Sequence, residues 1–315
     1  MRTGPTLRPD REGAGKAPDL GIAADELTAR IRRYSPKLSR GQRKVVDFFA
    51  ERSEQAVFLT SLKVAREVGV SEATVVRTAR ALGFAGYPQF RDAFRSSFLQ
   101  RMSTVTRVRL SAPARRKETD IVAAVLETEF NNLEATRLRL DPKALARAAE
   151  LIIGARHVYV VGMRSAYSLA WLLHFSLMLI RARSSLLTLG VGEVPERLEG
   201  INGNDVVVGI SFERYASATV SLFRACVDQG AQGIALTDKP TSPLADGAEV
   251  VLEAQNRLSS FIDSYVAPTA VIDVLVTLVA AKRRRTVLRA LKDREDTWRR
   301  HRTYLGELLT GRSRE

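Results

Sequence analysis

Short apolar runs alternate with helical patterns along the second half of the chain, and this alternation limits the fold more than any other feature of the sequence. The runs have the length of buried strands and lie at 157–161, 185–189, 205–210, 233–237 and 250–252. Helical patterns lie between them, at 165–181, 194–201 and 215–229, and Pro142 stands at the start of a helix that precedes the first run. This order predicts an α/β fold in which a parallel sheet is flanked by helices.

Positive charge is concentrated at the two ends of the chain. The 315 residues carry a formal net charge of +14; residues 1–120 hold 24 basic and 13 acidic side chains, whereas residues 121–280 hold 13 and 17. Residues 281–315 are basic again, with 12 against 5. A basic first part joined to a mildly acidic middle is typical of a polyanion-binding module attached to a second unit, although a solvated basic surface explains the charge alone equally well.

A pair of short helices joined by a sharp turn is predicted in the basic amino-terminal part. Thr60 is an N-cap candidate for the first helix, Gly69 can take the positive φ angle that ends it, and Ser71 caps the second. An earlier helix is predicted to open with Ser39 and Gln42, which have the spacing of a capping box. The inward faces follow from helical spacing: Leu62, Ala65 and Val68 in the first helix of the pair, and Val75, Ala79 and Leu82 in the second.

The outward face of the second helix predicts contacts with DNA, because a helical pair of this kind places its second helix in the major groove. The candidate DNA-binding residues are Ser71, Glu72, Thr74, Arg77, Arg80 and Lys63. Glu72, Thr74 and Arg77 are expected to face base edges, with the glutamate accepting from cytosine and the arginine donating to guanine. Lys63 and Arg80 are expected to contact phosphates. A solvated charge on the helix surface is the alternative for Arg77.

One segment resembles the DNA-binding domain of the RpiR family of bacterial transcriptional regulators: SLKVAREVGVSEATVVRTARALGFAGYPQFRDAF. The resemblance covers about residues 38–100, and it places the family's recognition helix on 70–77. It implies a double-stranded DNA operator with two-fold symmetry. A two-fold operator is expected to bind at least a homodimer, and a homotetramer is equally compatible.

Polar side chains follow two of the predicted strands. In parallel sheets ligands bind at the carboxyl ends of the strands, and a helix that begins there attracts anions. The candidate ligand-binding residues are Arg164, Ser165, Ser211, Arg214 and Ser217. The alternatives are that the serines only cap helices, and that an arginine pairs with Glu193 or Glu213.

The second half also resembles the SIS (sugar isomerase) domain, over about residues 141–280. The resemblance rests on DVVVGIS at 205–211, on GAQGIALTD at 230–238 and on SPLA at 242–245. It implies a phosphosugar held by the serines and threonines of two loops. This chain departs from the family at both loops: Arg164 and Ala166 replace a glycine and a serine in the first, and Glu213, Arg214 and Ala216 replace the last three defined positions of Ser-x-Ser-Gly-x-Thr in the second. An anionic effector is therefore expected, either a phosphosugar or a sugar acid.

We assign no catalytic residue, no metal-ligand set and no cofactor motif from the sequence. A sugar-phosphate isomerase needs a carboxylate or a histidine as acid and base. Glu193 and Glu213 are candidates by position, but Glu213 is expected to be neutralised by Arg214. His174 is interpreted as a satisfied core or interface histidine, and Cys226 as core. A regulator is therefore favoured, with a sugar-phosphate isomerase or a related SIS-domain enzyme as the alternative.

Composition divides the chain into five predicted segments. They are a disordered lead-in (1–20), a helix-turn-helix domain (21–100), a linker (101–118), an SIS-like domain (119–281) and a basic helical extension (282–315). The linker breaks the helical pattern and is expected to act as a hinge through which the effector moves the recognition helices. The longest uncharged apolar stretch, 166–180, is shorter than the roughly 20 residues of a membrane span, so no membrane contact and a cytoplasmic location are expected.

Overall fold

The computed structural model describes residues 30–305 except 103, 112–116, 181, 190–195, 197, 259 and 260. Within these residues an all-helical amino-terminal part precedes an α/β part, which confirms the predicted fold class. The disordered lead-in, Glu193, residues 194, 195 and 197 of the helix predicted at 194–201, and the last ten residues lie outside the described residues.

The amino-terminal part is a bundle of short helices around an aromatic core. The helices are α1 (Arg40–Glu51), α2 (Ser53–Ala56), α3 (Ser61–Val68), α4 (Glu72–Ala81) and α5 (Tyr87–Arg101). Phe49 of α1 is fully buried, and its ring centroid lies 4.7 Å from that of Phe90 and 5.0 Å from that of Phe94. This aromatic cluster holds α1 against α5, so the bundle has a core of its own.

The predicted caps set the ends of these helices. Ser39 and Gln42 form both hydrogen bonds of a capping box at α1, and the side chains of Thr60 and Ser71 cap α3 and α4. Gly69 ends α3 with a φ of 71°, a left-handed conformation that favours glycine. The helix–turn–helix geometry therefore follows from local sequence.

The inward face of α4 is confirmed, whereas that of α3 was partly wrong. Val75, Ala79 and Leu82 are fully buried, as predicted. In α3, however, Leu62 is 46% exposed and Val64 is buried in its place. Residues that are two positions apart in an α-helix point in directions about 200° apart around its axis. Because the side chain of Val64 is buried, that of Leu62 faces solvent.

The segment that links the two parts contains a helix, contrary to the expectation that it breaks the helical pattern. Helix α6 spans Thr104–Ser111, and the long helix α7 spans Glu118–Arg139. Arg107 of α6 is buried to 3% exposure against the α/β part, where Nη1 donates to Asp263 Oδ1 at 3.2 Å. An ion pair between a buried arginine and a partly buried aspartate thus docks part of the expected hinge on the second domain.

The α/β part is built on a sheet of parallel strands in the order β2-β1-β3-β4-β5. The strands are β1 (Val158–Val161), β2 (Ser184–Leu187), β3 (Val206–Ile210), β4 (Gln232–Thr237) and β5 (Val250–Glu253). Successive residues of β3 enter different cores, with Val206 and Val208 in one cluster and Val207 in the other. Both faces of the sheet are therefore covered, as parallel sheets require.

The helices that cover the sheet are α8 (Pro142–Gly154), α9 (Tyr167–Leu179), α10 (Ser217–Asp228), α11 (Val266–Lys282) and α12 (Arg284–Arg300). Gly209 of β3 allows α10 to approach closely, because a Cβ at that position would lie 2.6 Å from the ring of Phe223. Helix α12 runs through much of the segment that was predicted as a basic extension. In the part of the chain that the structure describes, no helix is long and apolar enough to cross a membrane.

Candidate functional site

The order of the strands creates a crevice between the carboxyl ends of β1 and β3. Strands β1 and β3 are neighbours in the sheet. From β1 the chain continues to β2, which pairs with the other edge of β1, so β2 and β3 lie on opposite sides of β1. The connections that follow β1 and β3 therefore diverge, which is where doubly wound sheets bind ligands. The loops at this point carry Arg164 and Ser165 after β1, and Ser211 and Arg214 after β3.

A cavity of about 430 Å³ opens in this crevice. The structure brings together in its lining four of the five predicted ligand residues, Arg164, Ser165, Ser211 and Arg214. The fifth, Ser217, is the exposed first residue of α10 and is not among the residues that line the cavity. The lining also includes residues that the sequence did not indicate, among them Thr104, Arg107 and Tyr265.

Two of the three arginines that line the cavity, Arg164 and Arg214, have left-handed backbones. The φ angle is 58° at Arg164 and 65° at Arg214, a region that non-glycine residues seldom adopt. These are the two positions at which the SIS pattern has glycine, so the loops keep the glycine conformation although a long cationic side chain is present. Such strain costs on the order of 1 kcal/mol at each position and is concentrated at functional sites.

The polar groups of the cavity connect segments that are distant in sequence. Tyr265 OH donates to Ser165 Oγ at 2.7 Å, and burial raises the pKa of Tyr265, so this phenol stays protonated. Arg214 Nη1 donates to Thr104 Oγ1 of α6 at 3.2 Å. One wall of the cavity is therefore the linker helix itself.

The expected neutralisation of Glu213 by Arg214 is not what the structure shows. Lys239 Nζ donates to Glu213 Oε2 at 2.5 Å, and both side chains are largely buried. Arg214 instead reaches Thr104. Lys239 can neutralise the Glu213 carboxylate because the loops that follow β3 and β4 lie side by side. The positive charge of Arg214, which lines the cavity, is therefore not cancelled by Glu213.

Other titratable groups have structural partners. Burial raises the pKa of Asp238 to about 6, against the hydrogen bond that it accepts from Tyr215 OH at 2.7 Å. His174 Nδ1 lies 2.9 Å from Ser184 Oγ, and Cys226 is fully buried with its pKa raised to about 12. No group of three or more potential metal ligands occurs among the described residues.

The predicted DNA-contacting residues lie at the amino-terminal end of α4 and around it. Ser71 Oγ accepts from the backbone N of Thr74 at 3.2 Å, so both residues belong to the cap. Glu72 Oε1 accepts from Ser61 Oγ at 2.6 Å, which joins the start of α4 to the start of α3. The side chain of Glu72 is therefore partly engaged within the protein.

The basic candidates of this surface are free of acidic partners in the hydrogen bonds that the structure shows. Arg77 is exposed, and its Nη2 lies 3.4 Å from Thr74 Oγ1. Lys63 and Arg80 are also exposed. These three residues give the helical pair exposed positive charge, which suits the phosphate backbone of DNA.

Comparison with protein families matches both parts of the chain. The model "Helix-turn-helix domain, rpiR family" matches residues 26–101, and the model "SIS domain" matches residues 151–278. This chain belongs to the RpiR family of transcriptional regulators. The RpiR membership confirms both resemblances and makes the chain a transcriptional regulator with a helix-turn-helix domain and an SIS domain.

Individual proteins are similar to all or part of this chain. The transcriptional regulator HexR of Pseudomonas aeruginosa is 26% identical over 82% of this chain and 90% of its own length. The sugar isomerase domain of an RpiR transcription factor from Sphaerobacter thermophilus covers 55% of this chain and 97% of that structure, with 30% identity and a TM-score of 0.53. The Vibrio vulnificus NanR protein, solved in complex with ManNAc-6P, shares the fold over 86% of this chain and 97% of its own, with 21% identity and a TM-score of 0.50.

Proposed function

We propose that this regulator binds a double-stranded DNA operator through the face of α4 that carries Arg77, and that it senses an anionic metabolite in the cavity at the ends of β1 and β3. The observation that carries the effector proposal is the pair of arginines that hold a glycine-like backbone at that cavity. A strained cationic residue on each of two converging loops is best explained by an anionic ligand that the two residues bind.

The chemistry of the cavity favours a phosphosugar or a sugar acid. Ser165 and Ser211 supply hydroxyl groups, and the two guanidinium groups suit a phosphate or a carboxylate. The side chain of Glu213 is turned to Lys239, so the anionic group is not opposed by a free carboxylate on that loop. Sugar phosphates are also the class of ligand in the NanR complex.

Loss of the arginines is expected to abolish stabilisation by the effector. In a thermal-unfolding screen of phosphosugars and sugar acids, at least one compound is expected to raise the Tm of the wild type. The same compound should leave the Tm of Arg164→Gly and the Tm of Arg214→Gly unchanged. Glycine relieves the left-handed strain, so the unliganded variants should be as stable as the wild type or more stable. A ligand-induced rise that survives in both variants would contradict the assignment.

A matched control is available on the same domain. Arg224 lies on α10, is exposed and pairs with Asp246 at 2.9 Å, away from the cavity. Arg224→Ala is expected to keep the full response to the compound. If Arg224→Ala also loses the response, the effect is one of overall charge and not of the cavity.

We further propose that the effector acts on DNA binding through α6. Thr104 and Arg107 both line the cavity, and α6 lies in the segment that connects the two domains. An anion that draws the Arg214 guanidinium away from Thr104 would alter how α6 docks, and α6 would transmit the change to the helical domain. The compound found in the thermal screen should therefore change operator affinity in the wild type and not in Arg214→Gly.

An assembly of at least two copies is expected on a two-fold operator. Helix α7 offers a candidate contact face, because three apolar side chains along it are strongly exposed: Val122, Leu126 and Phe130. Contiguous exposed apolar residues of this kind mark interaction surfaces. The sequence-based expectation of a homodimer or a homotetramer stays a prediction.

Replacing Arg77 with alanine is expected to cost roughly 1–3 kcal/mol of operator binding and to relax the preference at one base pair, because a guanidinium in the major groove discriminates guanine. The measurement is binding to an operator selected from random duplexes and to each of its single-base variants. Arg80→Ala is the matched control, and it should weaken all these duplexes by a similar factor. A uniform loss with Arg77→Ala would make Arg77 a phosphate contact instead.

A further inference from the structure

A second cavity, of about 310 Å³, lies at the opposite end of the sheet, where β1 begins. It is enclosed by the end of α8, the starts of β1 and β2, and the junction of α11 with α12. The whole length of β1 separates it from the effector cavity, and the two cavities share no lining residue. It is therefore a separate site.

The floor of this second cavity is apolar. Among its lining residues are Ile152, Val158, Ile180 and Val279, together with the small side chains of Ala155 and Ala182. Two alanines leave open a space that larger apolar residues would fill. Since protein interiors are normally close-packed, an apolar recess of this size is suited to the body of a ligand.

Cationic groups surround the apolar floor. Arg156, Arg183 and Arg283 line the cavity, and its lining includes no acidic side chain among the described residues. Arg156 is neutralised by the buried Asp205, to which its Nε donates at 2.9 Å, so it serves as a structural residue. Arg183 and Arg283 are exposed, and the Arg283 guanidinium donates a long hydrogen bond, 3.4 Å, to the carbonyl of Ile153.

The start of α12 lies at the rim of the cavity. The helix begins at Arg284, and Thr286 of its first turn lines the cavity. The first turn of a long helix presents unpaired N–H groups and the positive end of the helix dipole. The ends of α8, α9 and α11 lie at the same cavity and their carbonyl groups offset this dipole, so the charge that favours an anion is that of the guanidinium groups.

We propose that this cavity binds a small carboxylate with an apolar body, held with its carboxylate at Arg183 and Arg283 and its hydrocarbon between Ala155 and Ala182. Arginines that only meet solvent need no apolar recess behind them, and a purely apolar packing defect needs no arginines beside it. The two features together fit an amphipathic anion. The site differs from the effector cavity, whose lining includes the hydroxyl groups of Thr104, Ser165 and Ser211 that suit a sugar.

The location of the site gives the ligand a structural consequence. Helix α12 begins at the cavity, and further along it Arg294 Nε donates to the carbonyl of Leu179 at the end of α9 at 3.1 Å. A carboxylate at the start of α12 would fasten that helix at its first turn as well. Occupancy should therefore stabilise the carboxyl-terminal helix against the rest of the domain.

The test is calorimetric titration of the full chain with octanoate, with octanol as the uncharged counterpart. Octanoate is expected to bind the wild type at one site per chain, and octanol at least about tenfold more weakly, since a charge-assisted bond is lost. Arg283→Met keeps the apolar stem and removes the charge, and it should weaken octanoate at least about tenfold. Arg289→Met, on the same helix but outside the cavity lining, should bind as the wild type does.

Two further variants separate this site from others. Ala182→Leu fills the recess and is expected to abolish octanoate binding, with its Tm measured to show that it is folded. Arg214→Gly should bind octanoate normally, whatever it does to the effector. Absence of binding to the wild type, equal binding of octanol, or equal binding by Arg283→Met and Arg289→Met would each overturn the proposal.

Discussion

Replacing Phe49 with alanine is expected to unfold the helix-turn-helix domain while the SIS domain stays folded. Phe49 is fully buried, and its ring packs against those of Phe90 and Phe94, so truncation removes the centre of a small core. Such a change costs roughly 3–5 kcal/mol, which is comparable with the whole stability of a domain of this size. Operator binding should be lost with it.

The measurement is differential scanning calorimetry, in which the wild type should show separable transitions for the two domains. The cores share no residue, since the aromatic cluster around Phe49 is distinct from the two clusters of the sheet. The matched variant is Phe223→Ala, which removes a fully buried ring from the SIS domain. Phe223→Ala should lower the Tm of the SIS-domain transition and leave that of the helix-turn-helix domain unchanged. A single transition that shifts equally in both variants would contradict the two-domain account.

Local signals in the sequence were sufficient to predict much of the fold. Thr60, Gly69 and Ser71 act on residues within one helical turn, so their effect is visible without the rest of the chain. The strands were also predicted to within one or two residues, because an apolar run between helical patterns can be buried in few ways. The α/β class follows from that order alone.

The helix in the linker could not be predicted, because its stability comes from a distant partner. The stretch from Thr104 to Val108 is rich in β-branched residues, which are weak helix formers. Arg107 pairs with Asp263, which is more than 150 residues away in the sequence. A contact of that range leaves no local pattern, and docking of the arginine outweighs the local preference.

In the candidate site, too, the residues that follow strands could be predicted from the sequence, and those that come from distant elements could not. Arg164 and Arg214 were found because both follow strands, and strand ends meet at one edge of a parallel sheet. Thr104 and Tyr265 were missed because they reach the cavity from α6 and from the start of α11. The salt bridge from Glu213 to Lys239 was missed for a similar reason, since it joins two loops that only the sheet brings together.

The central claim is that the chain is a DNA-binding regulator, and the dependence of DNA affinity on salt tests it most directly. Each protein cation at a phosphate releases condensed counterions, so the logarithm of the affinity falls linearly with the logarithm of the salt concentration. With roughly eight phosphate contacts in a dimer, the expected slope is about −7, or a loss of about 10⁴-fold between 50 and 200 mM salt. Lys63→Ala should make the slope less negative by about 1 for each copy bound.

The measurement is a titration of a selected operator, and of a scrambled duplex of equal length, across that range of salt. The account predicts a slope near −7 for the operator, a smaller absolute affinity for the scrambled duplex, and a shallower slope in Lys63→Ala. A slope near zero for the operator, or an affinity that does not distinguish the two duplexes, would contradict the assignment of DNA recognition to the helix that carries Arg77.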